Sequence, residues 1–384
     1  MSSSTNPFIR YRKSLDSYTR ARGQGWTDTD YVALVEQLDA KLLELEGYGL
    51  AVTPTTAAPE LASAIGLCPS RLWLKDDTEN VAGSHKIRHL FGVLLHLVID
   101  DRCDGELAIS SCGNAALAAA VIARAAERKI RVFIPAWANP IVVSQLEALH
   151  ADIVVCERRA TEKGDPAHLR FTEAVAEGAI AFSCQTALTP SALDGGRTLG
   201  FELAEQLANF GVIGTTRLYV QVGGGALASA VWSGLLSYVQ RLGLSISPVL
   251  HTVQSTQCAP LSRAWTRLSQ QDASIEQMLT NARTTPDQYM WPWEDMGMSA
   301  ADGILDDVTY EWQAIVEAML RTNGWPVTVS EAQIRHAHQM VHRHTDIDAD
   351  ATGTAGLAGV LHDSHAGEKR RHDHVVALVT GRTR

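Results

Sequence analysis

Short apolar runs alternate with longer amphipathic stretches along most of the chain. Runs rich in Val, Ile, Leu and aromatic residues, bounded by polar residues or glycine, are typical of buried strands. Between most of these runs, apolar residues recur three and four positions apart, as in NAALAAAVIARAAERK, and this spacing predicts helices. The expected strands are residues 71–75, 106–110, 131–135, 152–156, 179–183, 217–222, 249–254 and 374–380.

This alternation predicts an α/β fold with largely parallel sheets and helices on both faces of each sheet. Residues 1–50 precede the first expected strand and are interpreted as a helical extension. Within them, TDTDYVALVEQLDAKLLELEG has helical spacing, with Thr27 or Asp28 as the N-terminal cap and Gly47 as the stop signal.

Composition and charge exclude several classes of protein. The chain has 384 residues, 46% of them hydrophobic, which is enough for a large core divided between two lobes. The net charge is −10 and no long run of Lys or Arg occurs, so nucleic acid and anionic membranes are poor partners. No apolar stretch approaches membrane-spanning length.

The N-terminal sequence and the cysteines bear on location. MSSSTNPFIRYRKS lacks the apolar centre of a secretory signal. The six cysteines form no CxxC pair, which favours reduced thiols and predicts a cytoplasmic protein. They occupy positions 68, 103, 112, 156, 184 and 258.

Three expected strands end in residues suited to ligand binding, and the first of these ends is YVQVGGG. Gly223, Gly224 and Gly225 lie between a strand and a predicted helix. Glycines let backbone N–H groups approach a ligand, and a helix N-terminus favours anions. We interpret this loop as a phosphate site. The alternative is a tight turn in which glycine is needed for packing.

The letters GGGALA also match the G-x-G-x-x-A pattern of dinucleotide sites. Such a site usually has an acidic residue near the end of the next strand. Here the next expected strand ends in Gln254, and the motif lies late in the chain. The dinucleotide interpretation is therefore the weaker one.

The second strand end is ELAISSCGN, where two hydroxyls, a glycine and an amide precede an alanine-rich helix. This composition suits a carboxylate or another anion, although an ordinary helix cap would look the same. Cys112 could also be a nucleophile, since a helix N-terminus lowers a thiol pKa. No His–Asp partner for it is identifiable from the sequence. The third strand end delivers Thr380, a neutral hydroxyl, followed by Gly381.

Lys86 opens the predicted helix HKIRHLFGVLLHLVID. The partial positive charge of a helix N-terminus disfavours an ammonium group and so favours the neutral amine, which attacks carbonyls. An isolated lysine here would be interpreted as a solvated side chain. In combination with a phosphate loop, a carboxylate loop and a late hydroxyl, it indicates a phosphate-bearing aldehyde that receives an amino acid, namely pyridoxal 5'-phosphate.

The chain resembles pyridoxal-phosphate enzymes of the tryptophan synthase β superfamily, also called fold type II. Within it, the likeness is to threonine and serine dehydratases and to threonine-synthase-like enzymes. The resemblance follows the family order over roughly residues 50 to 384. The segments that carry it are LKDDTENVAGSHKIR, SSCGNAALA, DGGRTLGFEL, VGGGAL, ATGTAGLAGVL and TGRTR.

The resemblance implies a role for each segment. Lys86 would be the Schiff-base lysine and the catalytic base, Asn114 would contact the cofactor's phenolic oxygen, and Thr380 would be the partner of the pyridine nitrogen. The substrate carboxylate would lie on Ser111, Cys112, Gly113 and Asn114. The phosphate would lie on Gly223, Gly224, Gly225, Ala226 and Leu227.

The resemblance also implies an architecture. A large cofactor-binding domain would comprise residues 51–89 and 191–384. A small mobile domain, residues 90–190, would carry the SSCGN loop and close over the substrate. The family is typically homodimeric, so a homodimer is expected.

The implied activity is β-elimination on a hydroxy amino acid, as in serine and threonine dehydratases. An aminoacrylate would form and be hydrolysed to a 2-oxo acid and ammonia, which makes the protein an ammonia-lyase. DGGRTLG favours this interpretation because it is similar to the dehydratases' Ala-Gly-Gln-Gly-Thr-Ile-Gly segment.

Three other functions remain open. The first is β-replacement or threonine-synthase-like chemistry with a second substrate, which SCGNAA and TGR favour. The second is a binding protein without activity, and the retention of Lys86 and Asn114 argues against it. The third is a metal protein, since eight of the fourteen histidines lie between residues 336 and 374. Because no HExxH pattern occurs, we expect no metal site and interpret these histidines as solvated helix faces.

Overall fold

The computed structural model describes residues 4–102, 104–160, 162, 164–364 and 373–384. Cys103, His365 and His372 therefore lie outside the described residues. The helices are α1 Pro7–Arg10, α2 Asp16–Gly23, α3 Asp28–Glu46, α4 Pro59–Ala64, α5 Lys86–Ile99, α6 Asn114–Ala125, α7 Pro140–Ala148, α8 Pro166–Ala176, α9 Ala192–Asn209, α10 Ala226–Leu242, α11 Pro260–Ser269, α12 Ile275–Thr284, α13 Trp312–Thr322, α14 Glu331–His344 and α15 Ala355–Ser364.

Ten strands are described, and every expected strand is among them. They are β1 Thr55–Ala57, β2 Leu72–Asp76, β3 Leu107–Ser110, β4 Ile130–Pro135, β5 Asp152–Cys156, β6 Ile180–Ala181, β7 Gly214–Gln221, β8 Ile246–Ser255, β9 Pro326–Val329 and β10 His374–Val379. Short 3₁₀ turns cover Arg12–Ser14, Val81–Gly83, Pro286–Gln288 and Asp302–Ile304.

The strands form two sheets, and the expected parallel α/β fold is confirmed. One sheet has the order β1-β2-β10-β7-β8-β9 and is parallel except for the β1–β2 pair. The other has the order β5-β4-β3-β6 and is parallel throughout. In both sheets, neighbours that are distant in sequence are joined through helical crossovers, as parallel pairing requires.

The chain forms two compact units. The first comprises the residues up to Val52, residues 80–198 and Arg384, and it contains the four-stranded sheet. The second comprises residues 53–79 and 199–383, and it contains the six-stranded sheet. The division into an extension, a large domain and a small mobile domain remains a prediction.

The expected N-terminal helix is confirmed as α3. Thr27 accepts a hydrogen bond from the backbone N–H of Asp30, whose carboxylate reaches back to the N–H of Thr27, so the helix begins with a capping box. At the other end Gly47 takes the left-handed conformation, with φ +83°. In the same unit, Phe8 of α1 packs against Phe91 of α5 with ring centroids 4.7 Å apart.

Each unit has its own apolar core. In the first unit, buried residues of β3, β4 and β5 pack against Phe171 and its neighbours on α8. In the second, α4, α14 and α15 bury apolar residues against the sheet. α15 lies so close to the strands that a Cβ at Gly359 would be 2.4 Å from Val253 of β8. None of the described helices is long and apolar enough to cross a membrane.

Candidate active site

Lys86 is the first residue of α5 and is half-buried. The 3₁₀ turn before it contains Ala82 with φ +58°, a left-handed conformation that is uncommon for a residue other than glycine. The side chain of Asn80 stabilises this turn by accepting a hydrogen bond from the N–H of Val81 at 2.9 Å. The turn thus places Lys86 at the helix N-terminus, as the sequence predicts.

Two neutral groups lie near the charge of Lys86. His89 is fully buried, and its Nδ1 donates to the backbone carbonyl of Ala192 at 2.7 Å. Burial, reinforced by the charge of Lys86, lowers the pKa of His89 to about 3. Burial also raises the pKa of the Cys184 thiol, and the charge of Lys86 only partly offsets this increase. Near neutral pH both groups are therefore uncharged.

The DGGRTLG segment packs directly on the helix that carries Lys86. A Cβ at Gly195 would lie 1.9 Å from the backbone oxygen of Arg88, and one at Gly196 would lie 2.3 Å from the ring of His89. Only glycine permits an approach this close without displacing backbone. The glycine pair in this segment therefore sets how tightly the start of α9 packs against the first two turns of α5.

The residue before this pair, Asp194, connects the N-terminal helices to the same region. Its carboxylate accepts hydrogen bonds from the backbone N–H groups of Asp16 and Ser17, at 2.8 and 2.9 Å, and from His96 at 3.0 Å. Burial alone would favour the neutral acid, but these hydrogen bonds outweigh it and hold the pKa of Asp194 below its usual range. Asp194 is thus a buried anion at the N-terminus of α2.

The expected carboxylate loop connects β3 to α6. Ser111, Cys112, Gly113 and Asn114 are all half-buried, so ligand can reach them, and Asn114 is the first residue of α6. The N–H of Gly113 donates to Ser111 Oγ at 3.4 Å. The helix N-terminus adds its own N–H donors to this loop.

The glycine loop connects β7 to α10, and Ala226 and Leu227 form the first turn of that helix. Gly225 has φ +97°, which requires glycine. A Cβ at Gly223 would lie 2.5 Å from the Asp306 carboxylate, and Thr309 donates to the carbonyl of Gly223 at 2.9 Å. The loop therefore needs its glycines for packing as well as for the anion site expected at the N-terminus of α10.

Thr380 follows β10 and is buried. Parallel pairing of β10 with β7 brings the carboxyl ends of the two strands together, and Gln221 at the end of β7 donates to Thr380 Oγ1 at 2.7 Å. The same amide donates to the carbonyl of Gly353 at 3.0 Å. Thr380 Oγ1 accepts from Gln221, and the same hydroxyl carries one O–H donor.

The structure groups the expected site residues in two pairs. In the first unit, Arg384 hydrogen-bonds both to Asn114 and to the turn before Lys86. In the second unit, Gln221 joins the glycine loop, which begins two residues later, to Thr380. Sequence reasoning missed both Arg384 and Gln221.

Two buried polar atoms in the segments expected to bind the cofactor fit pyridoxal phosphate. Ser84, two residues before Lys86, is fully buried, and its Oγ has no hydrogen-bond partner within the described part of the chain. Gln221 Oε1, beside Thr380, is likewise buried without a partner among the described residues. Buried polar atoms are rarely left unpaired unless a ligand or water completes them. Both orphan atoms lie in segments expected to hold the cofactor.

Two of the histidines between residues 336 and 374 lie close together on α14. His338 and His342 of α14 have Nε2 atoms 3.1 Å apart, and both contact the carbonyl of Ala349. Burial, reinforced by His342, lowers the pKa of His338. Across the described residues, no group of three or more His, Cys, Asp or Glu side chains could hold a metal ion.

Known proteins resemble this chain in sequence and in fold. The family described as "Pyridoxal-phosphate dependent enzyme" matches residues 48–381. A threonine synthase from Bacillus sp. (strain ULM1) is 25% identical over 334 residues, which is 86% of this chain and 82% of that protein.

Solved structures with the same fold include two threonine deaminases. The processed form of isoform 2 from Solanum lycopersicum aligns with a TM-score of 0.67 at 17% identity, covering 92% of this chain and 85% of that one. The threonine deaminase from T.th. aligns with a TM-score of 0.66 at 23% identity, covering 91% and 98%. A diaminopropionate ammonia lyase from Escherichia coli aligns with a TM-score of 0.66 at 17% identity, covering 90% and 88%.

Proposed function

Because the chain belongs to the family of pyridoxal-phosphate dependent enzymes, we propose that it is an ammonia-lyase that removes the β-hydroxyl of serine or threonine. The products are a 2-oxo acid and ammonia. The observation that carries this proposal is the pairing of Thr380 with Gln221 in the second unit.

The cofactor, when bound, withdraws electrons from the α-carbon of the amino acid. The partner of its pyridine nitrogen sets how strongly it does so. Thr380 is a neutral hydroxyl, and Gln221 is a neutral amide that fixes its orientation. A neutral donor leaves the ring a weaker electron sink than a carboxylate would. Negative charge on the α-carbon is then better relieved by prompt loss of the β-substituent, which is β-elimination.

Lys86 has two roles in the proposed reaction. Its amine would hold the cofactor, and once free it would accept the α-proton of the amino acid as general base. His89 lies three positions after Lys86 in the same helix. Because its pKa is lowered to about 3, its imidazole does not compete with Lys86 for this proton. The N–H groups and side chains of Ser111 to Asn114 hold the substrate carboxylate, and Gly223 to Leu227 hold the phosphate.

The proposed elimination breaks two bonds of the amino acid. The Cα–H bond breaks and its proton goes to Lys86 Nζ, and the Cβ–O bond breaks. The leaving hydroxide takes up the proton from Lys86 and departs as water, so Lys86 is again a neutral amine. The resulting enamine tautomerises to an imine, and one water hydrolyses the imine to the 2-oxo acid and ammonia. Neither oxidant nor reductant is needed.

The relatives support two different reaction classes. Two solved proteins that are named threonine deaminases share the fold with this chain. The threonine synthase of Bacillus sp. is similar in sequence over most of its length. That similarity favours a second candidate, in which the enzyme joins a second substrate to the amino acid skeleton.

A substrate panel separates the two candidates. The purified, cofactor-loaded protein is incubated with L-serine, L-threonine, O-acetylserine, O-phosphohomoserine and 2,3-diaminopropionate, and 2-oxo acid, ammonia and inorganic phosphate are quantified. The proposal predicts equal amounts of 2-oxo acid and ammonia from serine or threonine alone, and none with Lys86→Ala. Release of phosphate from O-phosphohomoserine without 2-oxo acid would overturn it in favour of the synthase.

A further inference from the structure

Arg384 contacts both segments of the proposed site that lie in the first unit. Its Nε and Nη2 donate to Asn114 Oδ1 at 3.0 and 2.8 Å. Nη2 also donates to the backbone carbonyl of Ala82 at 2.8 Å, and Nη1 donates to Gln145 Oε1 at 3.1 Å. A single guanidinium thus joins the start of α6, the turn before α5, and α7.

The contact with Asn114 fixes the orientation of its amide. A guanidinium carries donors only, so the atom that receives both of its N–H groups must be the amide oxygen. The NH₂ group of Asn114 is then directed away from Arg384 and serves as a donor. A donor at this position suits the phenolic oxygen of the cofactor, the role that we assign to Asn114.

The contact with Ala82 acts on the other segment. Ala82 holds the left-handed conformation in the turn that ends at Gly83, and Lys86 follows within four residues. A left-handed alanine is strained and persists only where its surroundings stabilise it. A hydrogen bond from a charged group to its carbonyl is such a stabilising contact.

From these contacts we propose that Arg384 is a positioning residue, which orients the Asn114 amide and holds the turn before Lys86 so that both meet the cofactor in the correct geometry. The inference rests on the proposed cofactor roles of Lys86 and Asn114, and not on the identity of the amino acid substrate. Arg384 is exposed, so its replacement should leave the fold intact.

The test compares the cofactor complexes of Arg384→Ala, Arg384→Lys and Asn114→Ala with that of the wild type. Cofactor dissociation constant, visible absorbance of the bound cofactor and kcat/KM are measured for each. Arg382→Ala is the matched control, because Arg382 is an exposed arginine two residues away. We expect Arg384→Ala to lower kcat/KM about tenfold, the effect of one lost hydrogen bond to a charged group, and to move the absorbance toward that of Asn114→Ala.

Arg384→Lys separates orientation from charge. A lysine keeps the positive charge but lacks the planar fork that reaches Asn114 and Ala82 together, so it should resemble Arg384→Ala. Wild-type behaviour of Arg384→Lys would overturn the inference, because charge alone would then suffice.

The double variant Arg384→Ala/Asn114→Ala completes the cycle. If Arg384 acts through Asn114, the double variant should bind cofactor nearly as Asn114→Ala does, and strict additivity of the two effects would contradict the inference. An unchanged cofactor spectrum in Arg384→Ala would also overturn it. An unchanged spectrum in Asn114→Ala would instead overturn the proposed site, so the two failures are distinguishable.

Discussion

The carboxylate of Asp194 accepts a hydrogen bond from the backbone N–H of Ser17 at 2.9 Å, although the two residues are 177 positions apart. Asp194 directly precedes the glycine pair that packs on the helix of Lys86. One buried carboxylate therefore stabilises the N-terminus of α2 next to a segment of the proposed active site.

Replacing Asp194 with Asn should destabilise the protein. An amide offers one oxygen where the carboxylate offers two, so one of the two N–H groups at the start of α2 would face an NH₂ donor. We expect a loss of about 1–3 kcal/mol, the cost of leaving a buried donor unpaired, measured by urea unfolding near neutral pH. Asp16→Asn is the control, because Asp16 is exposed and its ion pair with Arg197 should contribute little.

Replacing Asp194 with Asn should also change how stability depends on pH. Since the folded protein lowers the pKa of Asp194, this residue contributes stability above the usual carboxyl pKa, and the contribution is lost as pH falls through its folded pKa. The wild type should therefore lose stability below about pH 4 more steeply than Asp194→Asn. Parallel curves for the two proteins would contradict the burial of an ionised Asp194.

His89 should make the protein sensitive to mild acid. Its pKa is lowered from 6.5 to about 3, so between these values the unfolded chain binds a proton that the folded protein does not. Stability should fall with decreasing pH across this window by at most about 1.4 kcal/mol per pH unit. His89→Asn keeps an N–H donor for Ala192 but does not titrate, so its stability should depend less on pH. The measurement is urea unfolding at several pH values between about 4 and 7.

Gly195 should tolerate no side chain. In Gly195→Ala the new Cβ would collide with the backbone oxygen of Arg88, and the first turns of α5 would have to move. Overpacking of this kind costs about 1–3 kcal/mol or more, and the shift should also weaken cofactor binding, since Lys86 begins α5. Gly23→Ala is the control, because a Cβ there meets nothing within 4 Å. Equal cofactor affinity in both variants would contradict the packing argument.

A buried ion pair in the second unit gives a further prediction. Lys75 Nζ lies 2.7 Å from Glu202 Oε2, and both side chains are fully buried. Glu202→Gln replaces the carboxylate that faces the lysine charge with a neutral amide and should cost about 3–5 kcal/mol. The double variant Lys75→Met/Glu202→Gln removes that charge and keeps an acceptor for Thr53. It should therefore be more stable than Glu202→Gln alone in urea unfolding, and the reverse order would contradict the account.

Much of the fold is readable from local sequence. α3 was predictable with both ends because Thr27, Asp30 and Gly47 are capping residues that act on their own helix. β1 and β9 were missed because three or four residues are too few to show a periodicity. Residues 179–183 look like a five-residue strand, but only Ile180–Ala181 pair with β3.

The residues of the proposed site are also readable from the sequence in part. Lys86, the SSCGN loop and the glycine loop stand out because they lie at junctions between a strand or turn and a helix. Gln221 and Arg384 act on residues 159 and 270 positions away. No local pattern marks contacts of that range, since they depend on which strands and helices are neighbours in the folded protein.

The covalent attachment point of the cofactor tests the central claim most directly. The cofactor-loaded protein is reduced with borohydride and digested, and the labelled peptide is identified by mass spectrometry. The account predicts that the label lies on Lys86, in the segment NVAGSHKIR, and that Lys86→Ala carries none. A label on Lys75 or any other lysine, or an equally labelled Lys86→Ala protein, would contradict it.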